Sequence, residues 1–393
     1  MKVTEVQQRQ YHQQRMITQV LGQLSQDRNS FSMWRMPHTQ DVFLLVSETG
    51  PRQLATLDVE SARPGFAIAP FLPHQPKYFL EADYLYRFTR EELQVKGQLG
   101  WEKKDMPTDE EGEPTSTMFL HFHKPHPHPR EDYPALVAAG VEQIKSGNLE
   151  KVVPARKQVI HFSAPQDWPA VFFRLAERYP HALVTLCSTP ETGTWVGATP
   201  ELLIRQDGND QFKTVALAGT KPFDAGTDLK TVAWTQKEIE EQAMVGRYII
   251  NCFKKIRVRE FDEHGPRTVQ AGNLLHLKTE FTVDTRAINF PQLASVMLNL
   301  LHPTSAVCGM PLTEALHFLA EREGMNRELY GGYWGPVNID SETNLFVNLR
   351  CMKVSEKSAT LFAGAGVTRD SNPEAEWKET VWKMNTLLNV IQS

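Results

Sequence analysis

The sequence predicts an α+β fold made mostly of antiparallel sheet. Three observations predict it. Strand-like runs are frequent and short, helical runs sit between groups of strands instead of alternating with single ones, and no internal repeat is detectable. Neither a Walker loop nor GxGxxG occurs, which removes the usual nucleotide readings of a doubly wound sheet.

Residues 4–25 read as a polar, Gln-rich amphipathic helix with Met16, Val20 and Leu24 as a thin apolar stripe and Ile17 beside it. Strand-like runs follow at 42–47, 65–71 and 78–88. The acidic stretch 102–116, with its Pro and Gly, reads as a surface loop. His121, His123, His126 and His128 lie in HFHKPHPHP. Clustered histidines can bind metal, but prolines and a lysine interleave these, and the tract is not read as a metal site.

Residues 132–146 read as a helix, with Leu136, Gly140 and Ile144 on one line and Gly147 as the stop. A strand at 150–162 follows, then a helix at 169–178 and a strand at 182–187. Trp195 to Glu201 reads as a strand running into a turn, and 212–218 as a strand closed by Gly219 and Thr220. The helix 234–256 carries Ile239, Ala243, Ile250, Phe253 and Ile256 inward, leaving Glu238 and Glu241 one turn apart on its polar side. Near the C-terminus, runs at 344–354 and 359–367 flank a hairpin loop, 355–358. The last helix starts at Ser371 to Glu374, either as a capping box or with Asn372 as cap and Pro373 in first position. On it Trp377, Val381, Met384 and Leu388 form the inward face, and Glu376, Glu379 and Lys383 share another. A Gly-rich turn at Gly364 and Gly366, the preceding Arg350 and two acids one turn apart suit an anionic ligand together with a cation.

The chain has 393 residues, 41% hydrophobic and 23% charged, enough to bury a large core. A net charge of −5 without a long basic run gives no reason to expect a nucleic-acid partner. No stretch reaches the roughly twenty apolar residues of a membrane span, and the N-terminus lacks a signal-peptide core. The four cysteines, widely spaced, read as reduced buried thiols of a cytoplasmic protein.

Several stretches resemble the chorismate-utilising enzymes. They are Lys151 to Val153 with Arg156, Gly197 to Glu201, Ala218 to Thr220, Lys237 to Gln242, and His302 to Thr304. The series continues through Arg327 to Gly332, Leu349 with Arg350, Phe362 to Gly366, and Glu376 to Glu379. This family includes anthranilate synthase component I and the aminodeoxychorismate, isochorismate and salicylate synthases. The likeness spans 130–390 in order and is weak over the first 120 residues, chiefly at 65–71. It implies one chorismate-utilising domain over 1–393, an antiparallel β-sandwich with helices outside, in which 1–120 is divergent and 121–393 carries the motifs. It also implies a monomer.

Three positions separate the family's members. Lys151 stands where ammonia-using enzymes carry Gln, Ala218 where aminodeoxychorismate synthases carry a Lys, and Ala306 where anthranilate synthases carry a Thr. Together they imply an isochorismate synthase that uses water, serving menaquinone synthesis, with a siderophore pathway, a salicylate synthase or an inactive chorismate-binding relative as the alternatives. The chain departs from the family pattern at Gln242, where His is common, at Glu238 for Asp, at Pro154 and Ala155, at Val307 for Leu and at Cys308 for Ser.

By this resemblance Lys151 is the base that deprotonates water, which requires its neutral form, and Glu201 is the acid that protonates the departing C4 hydroxyl. Glu241 and Glu379 would hold Mg2+, with Glu238 and Glu376 acting directly or through bound water. Arg350 and Tyr330 would take the enolpyruvyl carboxylate and Lys383 the ring carboxylate. The backbone at Gly219, Thr220, Gly364 and Gly366 would cradle carboxylates, while Ala306, Val307, Leu349 and Phe362 touch the substrate. His276 either orients the site or is a structural histidine.

Overall fold

The computed structural model describes residues 5–24, 29–97, 100–104, 120–123, 133–223, 226–271 and 274–392. Most of the acidic 102–116 stretch, together with His126 and His128, lies outside the described residues.

Two antiparallel sheets face each other. The larger runs in the order Ala155–His161, Ser358–Gly364, Cys351–Val354, Gly193–Thr199, Leu183–Thr189, Ser30–Arg35, Val42–Ser47, Tyr84–Phe88, Leu93–Gly97, Gly100–Lys104. The other runs Asp262–Ala271, Leu274–Asp284, Gln211–Pro222, Leu202–Gln206, Thr343–Val347, Tyr333–Val337, Gly65–Ala69, Lys77–Glu81, Arg52–Leu54. Between them lies an aromatic core that includes Trp34, Phe66, Trp195, Trp334, Phe346 and Phe362.

The described helices are α1 Glu5–Leu24, α2 Tyr133–Lys145, α3 Trp168–Arg178, α4 Gln236–Lys255, α5 Leu293–Leu301, α6 Leu312–Arg322 and α7 Pro373–Ile391. Helices α1, α3 and α7 pack on the larger sheet and α4 and α5 on the other, while α2 packs on α7 and on Lys151–Val152, and α6 on Gly309–Met310, two short strands that pair with each other. This is the helix-flanked antiparallel sandwich that the sequence predicts.

Some details differ. The strand expected over 344–354 is two strands in different sheets, Thr343–Val347 and Cys351–Val354, broken at Arg350. Arg350 has φ 48°, a left-handed turn that carries the chain across the sandwich. The 150–162 strand is likewise split, into Lys151–Val152 and Ala155–His161.

On α4, Ile239 is 46% exposed and Ala243 is exposed, so the inward face was placed too far round the helix. Gln242 takes an inward position instead, 3% exposed, its Nε2 donating to the Ala216 carbonyl at 3.2 Å and to Thr279 Oγ1 at 3.0 Å. On α7 the buried line runs through Glu376, Thr380, Met384 and Leu387, while Trp377 and Val381 are half-buried. Asn372 caps α7, accepting from the Ala375 N–H at 3.1 Å, with Pro373 in the first turn.

Candidate active site

The site forms where two segments cross between the sheets. One crossing joins Gly193–Thr199 to Leu202–Gln206 and carries Glu201; the other joins Thr343–Val347 to Cys351–Val354 and carries Arg350. They are stitched together. The Val347 N–H donates to the Glu201 carbonyl at 2.9 Å, Thr199 Oγ1 donates to the Val347 carbonyl at 2.6 Å, and the Ala198 N–H donates to the Arg350 carbonyl at 2.9 Å. Backbone hydrogen bonds thus fix an acid and a cation side by side.

These residues open on one small shared cavity, of about 60 Å3. Its walls hold Glu201, Gly219, Thr220, Glu241, His276, Ala306, Val307, Tyr330, Leu349, Arg350, Gly364, Gly366 and Lys383. Each was expected at the site from the sequence, and the fold brings them together from ends of both sheets and from two helices. Val153, Pro200 and Leu217 also line it. The sequence signal for these was adjacency: each sits within or beside a family motif.

Burial pushes the Glu201 carboxyl up to about 7, against the opposing pull of Lys151, Arg350 and Lys383. His276 is driven the other way, down to about 3, first by burial and then by Arg350. Its Nδ1 lies 2.8 Å from the Gly219 carbonyl, which can only accept. The proton is therefore on Nδ1, leaving Nε2 a buried acceptor without a partner among the described residues. Gly219 reaches this position with φ 68°, at an irregularity between Ala218 and Lys221 in the strand register.

Tyr330 stacks on Phe362, ring centroids 5.5 Å apart, and Phe362 stacks on Trp195 at 5.5 Å. Phe362 thus supports Tyr330 from behind and does not itself line the cavity. Burial raises the Tyr330 hydroxyl above its ordinary value, so it remains a donor.

Lys151 lies behind the wall, fully buried, on a short strand that pairs with Gly309–Met310 and bridges to Val367. Its Nζ is 3.0 Å from Glu241 Oε1. Lys151 is thus buried, and its ion-pair partner is an anion. Burial opposes the charge on Glu241, but Lys151 and then Lys237 hold its carboxyl below the ordinary value.

The other acids are also engaged. Glu379 pairs with Lys383 at 2.7 Å, and Lys383 also donates to the Gly364 carbonyl at 2.9 Å. Glu376, 1% exposed, pairs with Lys237. Glu238 closes a capping box with Thr235 at the start of α4, beside Gly219.

The donor set suits a hard cation in kind, being carboxylate oxygens. Gly366 keeps the approach to Glu241 open, since a Cβ there would lie 2.3 Å from Glu241 Oε1. Yet no group of three or more His, Cys, Asp or Glu among the described residues is gathered as metal ligands; Glu241, Glu376 and Glu379 are each paired with a lysine instead.

The family described as chorismate binding enzyme matches residues 71–392. The chain belongs to this family. Isochorismate synthase EntC of Escherichia coli K12 is 28% identical over 328 residues, covering 82% of this chain and 79% of EntC. Isochorismate synthase DhbC of Bacillus subtilis 168 is 30% identical over 314 residues, covering 76% of this chain and 77% of DhbC. The structure of MenF, the menaquinone-specific isochorismate synthase of Escherichia coli, superposes with a TM-score of 0.72 at 20% identity over 95% of this chain and 91% of MenF, a likeness of fold. No described helix of this chorismate-binding enzyme is long and apolar enough to cross a membrane.

Proposed function

We propose that the protein is an isochorismate synthase. It adds water at C2 of chorismate and expels the hydroxyl at C4, with the ring double bonds shifting between. The observation that carries this reading is Glu201, a buried carboxyl held at about 7 on the wall of a cavity that also presents Arg350 and Lys383 to an anion. Its relatives EntC and DhbC bear the same activity in their names.

In this mechanism Lys151, as the free amine, takes a proton from water while the water oxygen bonds to C2. Protonated Glu201 gives its proton to the C4 oxygen as the C4–O bond breaks, and a water leaves. Arg350 and the Tyr330 hydroxyl hold the enolpyruvyl carboxylate, and Arg350 is free to do so: among the described residues no salt bridge engages its guanidinium. The acceptor Nε2 of His276 suits the C4 hydroxyl of chorismate, which it would orient. Ala218 and Ala306 leave the walls at those points small and uncharged, with no amine or extra hydroxyl to bring another nucleophile. Mg2+ at Glu241 and Glu379, aided by Glu238 and Glu376, would neutralise the acids and anchor the ring carboxylate. The reaction ends at isochorismate, the shared precursor of menaquinone and catechol siderophores.

The test is product analysis. Purified protein incubated with chorismate and Mg2+ should yield isochorismate with or without ammonium. Anthranilate as the main product in ammonium would overturn the assignment, and salicylate with pyruvate would replace it with a salicylate synthase.

A further inference from the structure

Three glutamates and three lysines meet where α4, α7 and the Lys151–Val152 strand converge. Glu241 pairs with Lys151, Glu379 with Lys383, and Glu376 with Lys237. Each acid has its own lysine partner. A dication placed among them must compete with these lysines for the carboxylate oxygens.

The three lysines are not equally able to give way. The Lys151 side chain is 0% exposed, and Lys383 is 16% exposed and also tied to the Gly364 carbonyl at 2.9 Å. Lys237 is 29% exposed, so it has solvent to turn toward, on a flexible four-carbon stem. It pairs with Glu376 on α7, bridging the two helices, and interacts electrostatically with Glu379 and Glu241 as well. Lys237 and Glu241 lie one turn apart on α4.

Its position on the helix gives a second argument. Lys237 occupies the first turn of α4, where the helix dipole disfavours a cation, next to Glu238, which the dipole favours. Local helix energetics do not account for a lysine there, whereas the buried Glu376 carboxylate does.

We propose that Lys237 is the resident counter-ion of the acid cluster: it holds the carboxylates in the cation-free enzyme, competes with the divalent cation for them, and so sets the enzyme's cation affinity. This rests on the reading of Glu241, Glu376 and Glu379 as the cation's carboxylates.

Calorimetric titration of Mg2+ and of Mn2+ into the protein without chorismate tests it. Lys237→Gln should bind either cation roughly tenfold more tightly than wild type, the scale of one charge-assisted hydrogen bond. Lys237→Arg, which keeps the charge, should stay near wild type. Lys237→Met, which keeps most of the stem, serves as the second neutral variant if the glutamine protein folds poorly. The Tm gain at a fixed cation concentration near the wild-type Kd should also be larger in the neutral variants than in wild type. Equal or weaker affinity in folded neutral variants overturns the proposal and makes Lys237 a structural tie between α4 and α7. If wild type and neutral variants alike bind no divalent cation, the cation reading of the acids fails, and the proposal with it. Binding by the neutral variants alone would support it.

Discussion

Burial holds the Glu201 carboxyl at about 7, whereas its ordinary value is 4.5. The folded protein therefore binds this proton more tightly than the unfolded chain does. The sign follows: wild-type stability is reduced as pH rises from about 4.5 through about 7, and the neutral isostere removes that loss. Glu201→Gln should be more stable than wild type at pH 8, by at most roughly 3 kcal/mol, and equal to it near pH 4. Urea denaturation at the two pH values measures this; an unchanged pH dependence in the variant would mean that Glu201 is not the group responsible. The same variant should lose on the order of a hundredfold or more in turnover, as expected when a general acid is removed. At this scale the sequence was informative where a motif fixed identity and spacing, as for Lys151, Glu201 and Arg350. It was silent on partners: that Lys151 would face Glu241, or Glu376 face Lys237, depends on strands and helices far apart in the chain.

Among the elements, the Gly-rich turn and the two acidic helices make the site. Gly366 lies outside the left-handed region, so a side chain there meets no backbone strain. What its Cβ would meet is the carboxylate of Glu241 at 2.3 Å and Lys151 Cε at 3.2 Å. Glu241 is the movable end of a side chain, so Gly366→Ala should displace it and leave the fold intact. The expected result is a Tm within a few degrees of wild type with turnover down tenfold or more; full activity would show that Glu241 is not needed where it stands. The helices were legible in extent, because caps and stops are local: Asn372 with Pro373 begins α7, and Gly147, at φ 84°, follows α2. Their buried faces were less legible. Periodicity weighs apolar residues, and here Gln242 and Glu376 are buried through specific partners, an amide with strand acceptors and a carboxylate with a lysine.

The whole molecule is a sandwich whose two sheets exchange strands at the site. Its class was legible from the abundance of short strands. The crossing at Arg350 was not, since 344–354 reads as one strand and the break is imposed by long-range pairing. One buried ion pair ties the parts together. Arg327 binds both oxygens of Glu323, at 2.7 and 2.6 Å, and donates to the carbonyls of Val307 at 2.8 Å and Val153 at 2.7 Å, both on the cavity wall. Glu323 in turn accepts from the Ala155 N–H at 2.7 Å. Arg327→Ala leaves a buried carboxylate and two carbonyls unpaired, and should destabilise the protein by roughly 3–5 kcal/mol. A denaturation midpoint unchanged from wild type would show that this network contributes little to the fold.

The central claim is that water, activated within this site, becomes the new hydroxyl at C2. The most direct measurement is conversion of unlabelled chorismate in 18O-enriched water, stopped at low conversion, with the product analysed by mass spectrometry. The account predicts isochorismate carrying one solvent oxygen at C2. Isochorismate without label would show that the C4 hydroxyl migrates within the substrate, and would contradict it.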